Sequence, residues 1–313
     1  FFGQSGIVPS LIILALVQCL LTISYSYRFF KPSFSFSRVN IRRGEGMIRL
    51  GVAFVLAGIL GSGAEFLVRT FLNHTGQLYV VGLYNAGYVM TMTYAGMVFS
   101  AMETDYFPRL SGISQLGPQL NRTVNHQIEV SLLLVSPIIV FFMVALPVLL
   151  PLLYSGKFLP VLSMMKVAAI AMYFRALTLP VEYIALSRGD SHGYLFLETV
   201  YDLAFALLVI VGYQQWGLFG TGIGLAIAGI INLVVVYFFA RWKYQYRISN
   251  TVRLYTLILL PLGIVTCLVT HLLTGVSYWV VGFLLFLVSA AISVQILHSK
   301  SNLWAVLVQR VER

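Results

Sequence analysis

The chain has 313 residues, of which 59% are hydrophobic and only 10% charged, with a formal net charge of +10 and a mean hydropathy of +0.89. Soluble domains carry about a quarter charged residues, so this composition excludes an ordinary water-soluble enzyme. A transmembrane β-barrel would alternate apolar and polar residues in segments of about 10, whereas residues 130–150 are apolar on every face, which excludes that class too.

Nine apolar stretches of roughly 20 residues are each long enough to cross a hydrocarbon core about 30 Å thick. The predicted spans are 6–27, 47–72, 78–101, 129–150, 159–187, 192–212, 218–240, 252–271 and 276–297. The fold class expected is all-α: a polytopic membrane protein with about nine transmembrane helices. The chain opens Phe1-Phe2-Gly3-Gln4, without an initiator Met or the charged head of a signal peptide, and is expected to be a piece of a longer protein. Cys19 and Cys267 fall inside separate apolar spans and are expected to be packing residues rather than a disulfide or a thiolate metal site.

Sixteen of the twenty Lys and Arg lie in one alternating set of loops and flanks, from Arg28 to Arg49, at Arg109, Arg122 and Arg188, from Arg241 to Arg253, and at Lys300, Arg310 and Arg313. The other set is short and nearly uncharged, with only Arg69 and Lys157 close to it. Short basic loops are retained in the cytoplasm, so the basic side is expected to be cytoplasmic, with the C-terminus inside. The net positive charge is thereby a topology signal, and nucleic acid is not expected as a partner. Residues 28–46 read as a cytoplasmic linker between two bundles, and equally as a retained loop near anionic lipid. Residues 303–310 read as a short interfacial helix.

No outer loop exceeds about ten residues, which disfavours the large extramembrane site of a glycosyltransferase or polymerase, so no enzyme is expected. There is no phosphate loop of the Walker type and no His/Glu zinc spacing, so neither cofactor nor metal is expected. His74, His126, His192, His271 and His298 sit at span ends and are assigned to interfaces.

Charged groups inside a bilayer are costly, and those that persist usually face a cavity or a partner. Arg175 lies close to mid-depth in span 159–187, with Lys166 toward the outer side and Glu182 toward the cytoplasm. Arg175 and Glu182 are seven residues apart and share a helix face, while Lys166 points roughly opposite to Arg175. Pro180 breaks the backbone ladder between Arg175 and Glu182. Glu198 and Asp202 stand four apart on the next span, above Tyr194. Two carboxylates so close resist joint ionisation, as a proton carrier requires, and a fixed Asp202–Arg175 ion pair is the structural alternative. Glu65 and Arg69 form an i,i+4 pair expected to be structural. Tyr84, Asn85, Tyr88, Thr91 and Tyr94 make span 78–101 polar, as sugar-stacking rings or as helix–helix contacts. Gly58, Gly61 and Gly63, and the series Gly220, Gly224, Ala228, allow close helix approach.

The stretch 81–88, Val-Gly-Leu-Tyr-Asn-Ala-Gly-Tyr, running on to Glu103-Thr104-Asp105-Tyr106-Phe107-Pro108-Arg109-Leu110-Ser111, resembles the eighth-helix region of bacterial polysaccharide and O-antigen flippases. Residues 150–158, Leu-Pro-Leu-Leu-Tyr-Ser-Gly-Lys-Phe, resemble that family's outer turn, and residues 216–224, Trp-Gly-Leu-Phe-Gly-Thr-Gly-Ile-Gly, a glycine-rich helix start. The family is the oligosaccharide-lipid branch of the multidrug/oligosaccharidyl-lipid/polysaccharide exporters. The resemblance implies two inverted-V lobes around a central cavity. Laid onto it, 1–27 would end the N-terminal lobe, 28–46 would be the interlobe linker, and 47–250 the C-terminal six-helix lobe. Residues 251–297 would be two extra helices and 298–313 a cytoplasmic tail, with five N-terminal helices absent.

The function this implies is translocation of an undecaprenyl diphosphate-linked oligosaccharide across the bacterial inner membrane by alternating access coupled to H+ or Na+. Arg175, helped by Lys166, would bind the diphosphate; Tyr84, Asn85 and Tyr88 would contact sugars; Glu182, Glu198 and Asp202 would carry the coupling ion. Membrane lipids, a polysaccharide polymerase and chain-length proteins are the expected partners. The rivals are a drug/cation antiporter or a peptidoglycan-precursor flippase of the same superfamily, and, from another class, a membrane glycosyltransferase.

Overall fold

The computed structural model describes residues 7–29, 38–76 and 78–300. They form α1 (Ile7–Phe29), α2 (Arg38–Thr75), α3 (Leu78–Ser111), α4 (Pro118–Leu153), a 3-10 turn (Gly156–Val161), α5 (Leu162–Ser187), α6 (Ser191–Tyr244), α7 (Asn250–Leu272) and α8 (Gly275–Lys300). No strand occurs among the described residues. The tail at 303–310 and most of the 28–46 linker's side chains lie outside the described residues.

Seven of these helices are long and apolar enough to cross a membrane, and the protein is an all-α, multi-pass membrane protein. The nine predicted spans fall on eight elements because 192–212 and 218–240 both belong to α6. At 1.5 Å per residue its 54 residues would reach roughly 80 Å, far beyond a bilayer. Trp216 (φ −136°, ψ 19°) and Gly217 (φ 59°, ψ −144°) break it into two arms, 191–215 and 218–244, the positive φ being the conformation glycine tolerates best. Helix α3 is the one outside the seven, because Tyr84, Asn85, Tyr88 and Thr91 interrupt its apolar run.

The chain divides into two compact units, Phe1–Ile48 and Arg49–Arg313. In the first, the described side chains of α1 are exposed, Cys19 among them, so Cys19 is not a packing residue of its unit as expected; Cys267 is buried.

In the second unit α5 is the central helix, with 18 of its 26 residues buried. It packs against α3, α4, α6 and α7, while α4 also holds α7 and α8. The outward faces carry large apolar side chains, such as Phe238, Leu257 and Val276, at 63%, 72% and 79% exposure. An apolar surface of this extent matches hydrocarbon rather than water. Backbone polarity inside the bundle is satisfied locally. Pro147 has no N–H to give the Met143 carbonyl, and the Tyr278 hydroxyl of α8 donates to the carbonyls of Met143 (3.3 Å) and Val144 (2.9 Å) instead. A hydroxyl chain of Tyr173, Ser136 and Ser289, 3.1 Å at each step, ties α5, α4 and α8 together.

The basic turns lie together at one end. Arg188, after α5, donates to the Ser114 carbonyl in the α3–α4 turn at 3.0 Å. Glu129 pairs with Lys300. Asp190 caps α6 by accepting from the Gly193 N–H and holds the Lys243 ammonium at 2.6 Å and the Tyr244 hydroxyl from the far arm of α6. Partial burial alone would raise the Asp190 carboxyl, but the bonds from Lys243, Tyr244 and Gly193 outweigh it and hold the group below the usual carboxylate range. The stabilisation is therefore complete above the ordinary carboxylate range and lost as pH falls through the depressed folded value. Asp190→Asn is expected to cost about 1–2 kcal/mol at neutral pH and to flatten the acid limb of a thermal-melt series between pH 3 and 7. An unchanged acid limb would show that Asp190 carries none of the acid sensitivity.

Candidate functional site: a track of acids and tyrosines around Arg175

Arg175 is half-buried midway along α5, inside the otherwise buried run 171–182, with Thr178 just under one turn, Pro180 about one and a half turns and Glu182 about two turns further along. Glu182, Glu198, Tyr183 and Tyr201 lie near enough to its guanidinium to act on it electrostatically. It makes no ion pair within 4.0 Å among the described residues. The expected alternative of a fixed Asp202–Arg175 bridge is thus not formed, although the two charges act on one another. One cation faces three carboxylates, Glu182, Glu198 and Asp202, an excess of two formal negative charges when all are ionised.

Each acid is held differently. Glu182 is buried, with one oxygen accepting from the Asn232 amide of α6 at 2.8 Å and the other without a partner. Glu198 stays half-buried, within reach of the Tyr194 hydroxyl one turn away. Asp202 lies against Gly61 of α2, where a Cβ would stand 3.5 Å from both its oxygens, and its buried Oδ2 has no partner. Unpartnered buried oxygens are costly in a closed protein interior and are tolerated where a cation, proton or water can reach them.

Beyond Asp202 the track continues to Glu65, whose charge acts on it. Glu65 and Arg69 form their expected ion pair at 2.8 Å. Arg69 Nε donates to Asn85 at 2.7 Å and the Tyr88 hydroxyl donates to Glu65 at 3.1 Å, so α2 and α3 are joined by four polar side chains. Tyr84 stacks on Tyr88 with ring centroids 5.7 Å apart but is only 1% exposed, which makes it packing in this conformation. Asn85 and Tyr88 keep partial exposure.

Lys166 is not brought to Arg175. It is buried on the other face of α5, donating to the Thr270 carbonyl of α7 at 2.6 Å and lying 5.3 Å from the Tyr278 ring centroid. A cation on the orphan carbonyls of a helix C-terminus is a stabilising placement, which accounts for its survival in the membrane. Sequence reasoning missed Asn232, Tyr201 and Tyr183 as members of the track. A lone amide in the apolar run 225–240 was the available signal for Asn232. Among the described residues no cluster of three or more His, Cys, Asp or Glu could hold a metal.

Against known proteins, the chain matches a family described as polysaccharide biosynthesis protein over residues 2–163. No curated protein and no solved structure matches it.

Proposed function

The chain belongs to this polysaccharide biosynthesis protein family, and from that premise we propose that it is a flippase, not an enzyme. It moves a sugar unit linked to undecaprenyl diphosphate across the bacterial inner membrane by alternating access, with its C-terminus in the cytoplasm. The product feeds O-antigen, capsule or exopolysaccharide assembly, where a polysaccharide polymerase and chain-length proteins are the proposed partners.

The observation that carries this reading is a half-buried, mid-helix guanidinium surrounded by acids but bridged to none. A guanidinium in that condition can grip a diphosphate through paired N–H···O bonds. Glu182, Glu198 and Asp202 are the proposed carriers of H+ or Na+: with protons or sodium bound they leave Arg175 free for an anion, and ionised they neutralise it. Tyr88 and Asn85 are the proposed sugar contacts, with Tyr84 packed behind them; Lys166 belongs to the α5–α7 contact and drops out of the diphosphate site. The acidic excess also favours a second reading, a cation antiporter of the same superfamily. Both are tested by reconstituting the protein in vesicles. Protein-dependent exposure of a diphosphate-linked oligosaccharide on the opposite leaflet is expected; counter-transport of an organic cation for protons, with no movement of the glycolipid, would select the antiporter.

A further inference from the structure

Two cavities at the basic end of the bundle share a wall at Ile248. The first, about 1040 Å³, has Arg122 and Arg247 in its lining, at the start of α4 and in the α6–α7 linker. The second, about 490 Å³, lies among α4, α5, the second arm of α6 and α7, with Leu177, Leu233, Phe238 and Leu257 around it and Arg253 at its edge. We propose that the pair holds one membrane phospholipid with an anionic headgroup, an acyl chain in the apolar cavity and the phosphate among Arg122, Arg247 and Arg253.

Charge and exposure select this occupant. Of the acids near the first cavity, Glu129 in its lining pairs with Lys300, Asp105 pairs with Arg109 at 2.7 Å and Asp190 with Lys243 at 2.6 Å. The guanidiniums of Arg122, Arg247 and Arg253 have no hydrogen-bond or ion-pair partner among the described residues. They therefore present uncompensated positive charge beside a cavity whose rim, Phe238 and Leu257, faces hydrocarbon. A soluble anion would leave the apolar cavity empty, and an uncharged lipid would leave the arginines unanswered; an anionic amphiphile satisfies both.

The site is also held in shape before any ligand arrives. Asn125 Oδ1 accepts from the Ser249 N–H at 2.8 Å and the Tyr246 hydroxyl at 3.1 Å, and its amide donates to the Arg247 carbonyl at 2.8 Å. Asn121 Oδ1 accepts from the Arg247 N–H at 3.2 Å. The linker carrying Arg247 is thus clamped at both backbone polar groups to α4, and its ordering cost is met by the fold. This inference is independent of what the track around Arg175 transports.

The test is native mass spectrometry of the purified protein with added phosphatidylglycerol or phosphatidylcholine. One phosphatidylglycerol per chain should be retained in preference. Arg247→Gln and Arg253→Gln, both at exposed side chains, should each lower its retention about fivefold, while Lys157→Gln, the same charge change at the other end, should not. Leu257→Trp, which narrows the apolar cavity, should lower retention of both lipids. Equal retention of the two lipids by the wild type, arginine variants that bind as well as the wild type, or a polyisoprenyl phosphate displacing phosphatidylglycerol at lower concentration would each overturn the proposal.

Discussion

Arg175→Ala is expected to abolish surface glycan in a strain that depends on this protein for its flippase activity, with the protein present in the membrane at wild-type amount. A bidentate phosphate contact consists of two charge-assisted hydrogen bonds, each contributing roughly 1.5–3 kcal/mol, so its loss lowers turnover by about two orders of magnitude or more. Arg175→Lys should recover only part of this, because an ammonium offers a point charge without the planar fork. A competing account follows from the same geometry. Removing the cation leaves Glu182, Glu198 and Asp202 facing one another, and their repulsion alone could distort the bundle. Substrate binding to the double variant Arg175→Ala/Glu182→Gln separates the two without requiring ion coupling. Binding of the diphosphate-linked oligosaccharide restored by the second change assigns Arg175 to charge neutralisation, whereas a wild-type melting midpoint with binding still absent assigns it to the substrate. Normal glycan in Arg175→Ala itself removes the residue from transport.

Much of the architecture was readable because bilayer length and hydropathy dominate it. The Trp216–Gly217 break, the Glu65–Arg69 pair and the close approach at Gly220 and Gly224 all follow from local spacing. Span ends do not: α2 begins nine residues before its predicted span, α3 runs ten beyond its own and α4 begins eleven before, because helix continues past the apolar run that hydropathy detects. The same reasoning made α3 a span although its polar stripe lowers its hydropathy, and the stripe proves to be where α2 and α3 exchange hydrogen bonds. What local spacing could not reveal is which face meets which helix. Lys166 was known to point away from Arg175, but nothing along α5 says that the opposing face meets the last turn of α7, 104 residues later. The Asn121 and Asn125 clamp on the 245–249 linker is illegible for the same reason: both residues read as ordinary polar positions near a helix start, and their partners are backbone groups more than 120 residues away. Tyr84 and Tyr88 show the limit most directly. They share one stripe in sequence, yet Tyr84 is enclosed while Tyr88, although its ring lies 5.8 Å from that of Phe205 of α6, retains partial exposure.

Gly220→Ala is expected to be the most damaging single methyl group in the molecule. The two arms of α6 meet backbone to backbone at this point: a Cβ on Gly220 would stand 1.8 Å from the Gly212 carbonyl oxygen, and one on Gly212 would stand 2.1 Å from that of Gly220. Farther along the same seam, a Cβ on Gly224 would stand 2.4 Å from the Leu208 carbonyl oxygen. The obstructing atoms are helix backbone, which cannot rotate away as a side chain would, so the arms must separate. Separation would open the core in which Phe205 and Val209 of the first arm pack with Leu225 and Ala228 of the second, forfeiting contacts whose strength falls off within about 1 Å. The expected cost is about 3 kcal/mol or more, read as a lowered midpoint in a detergent thermal-unfolding assay and a broadened gel-filtration peak. Gly58→Ala is the matched control, since nothing lies within 4 Å of its Cβ position, and it should leave the midpoint unchanged or raise it through the better helix propensity of alanine. Equal midpoints for the two variants would mean that the arms of α6 do not touch at Gly220. In that case Asn232 on the second arm would lose the support that carries it to Glu182, and the track around Arg175 would have to be rebuilt without it.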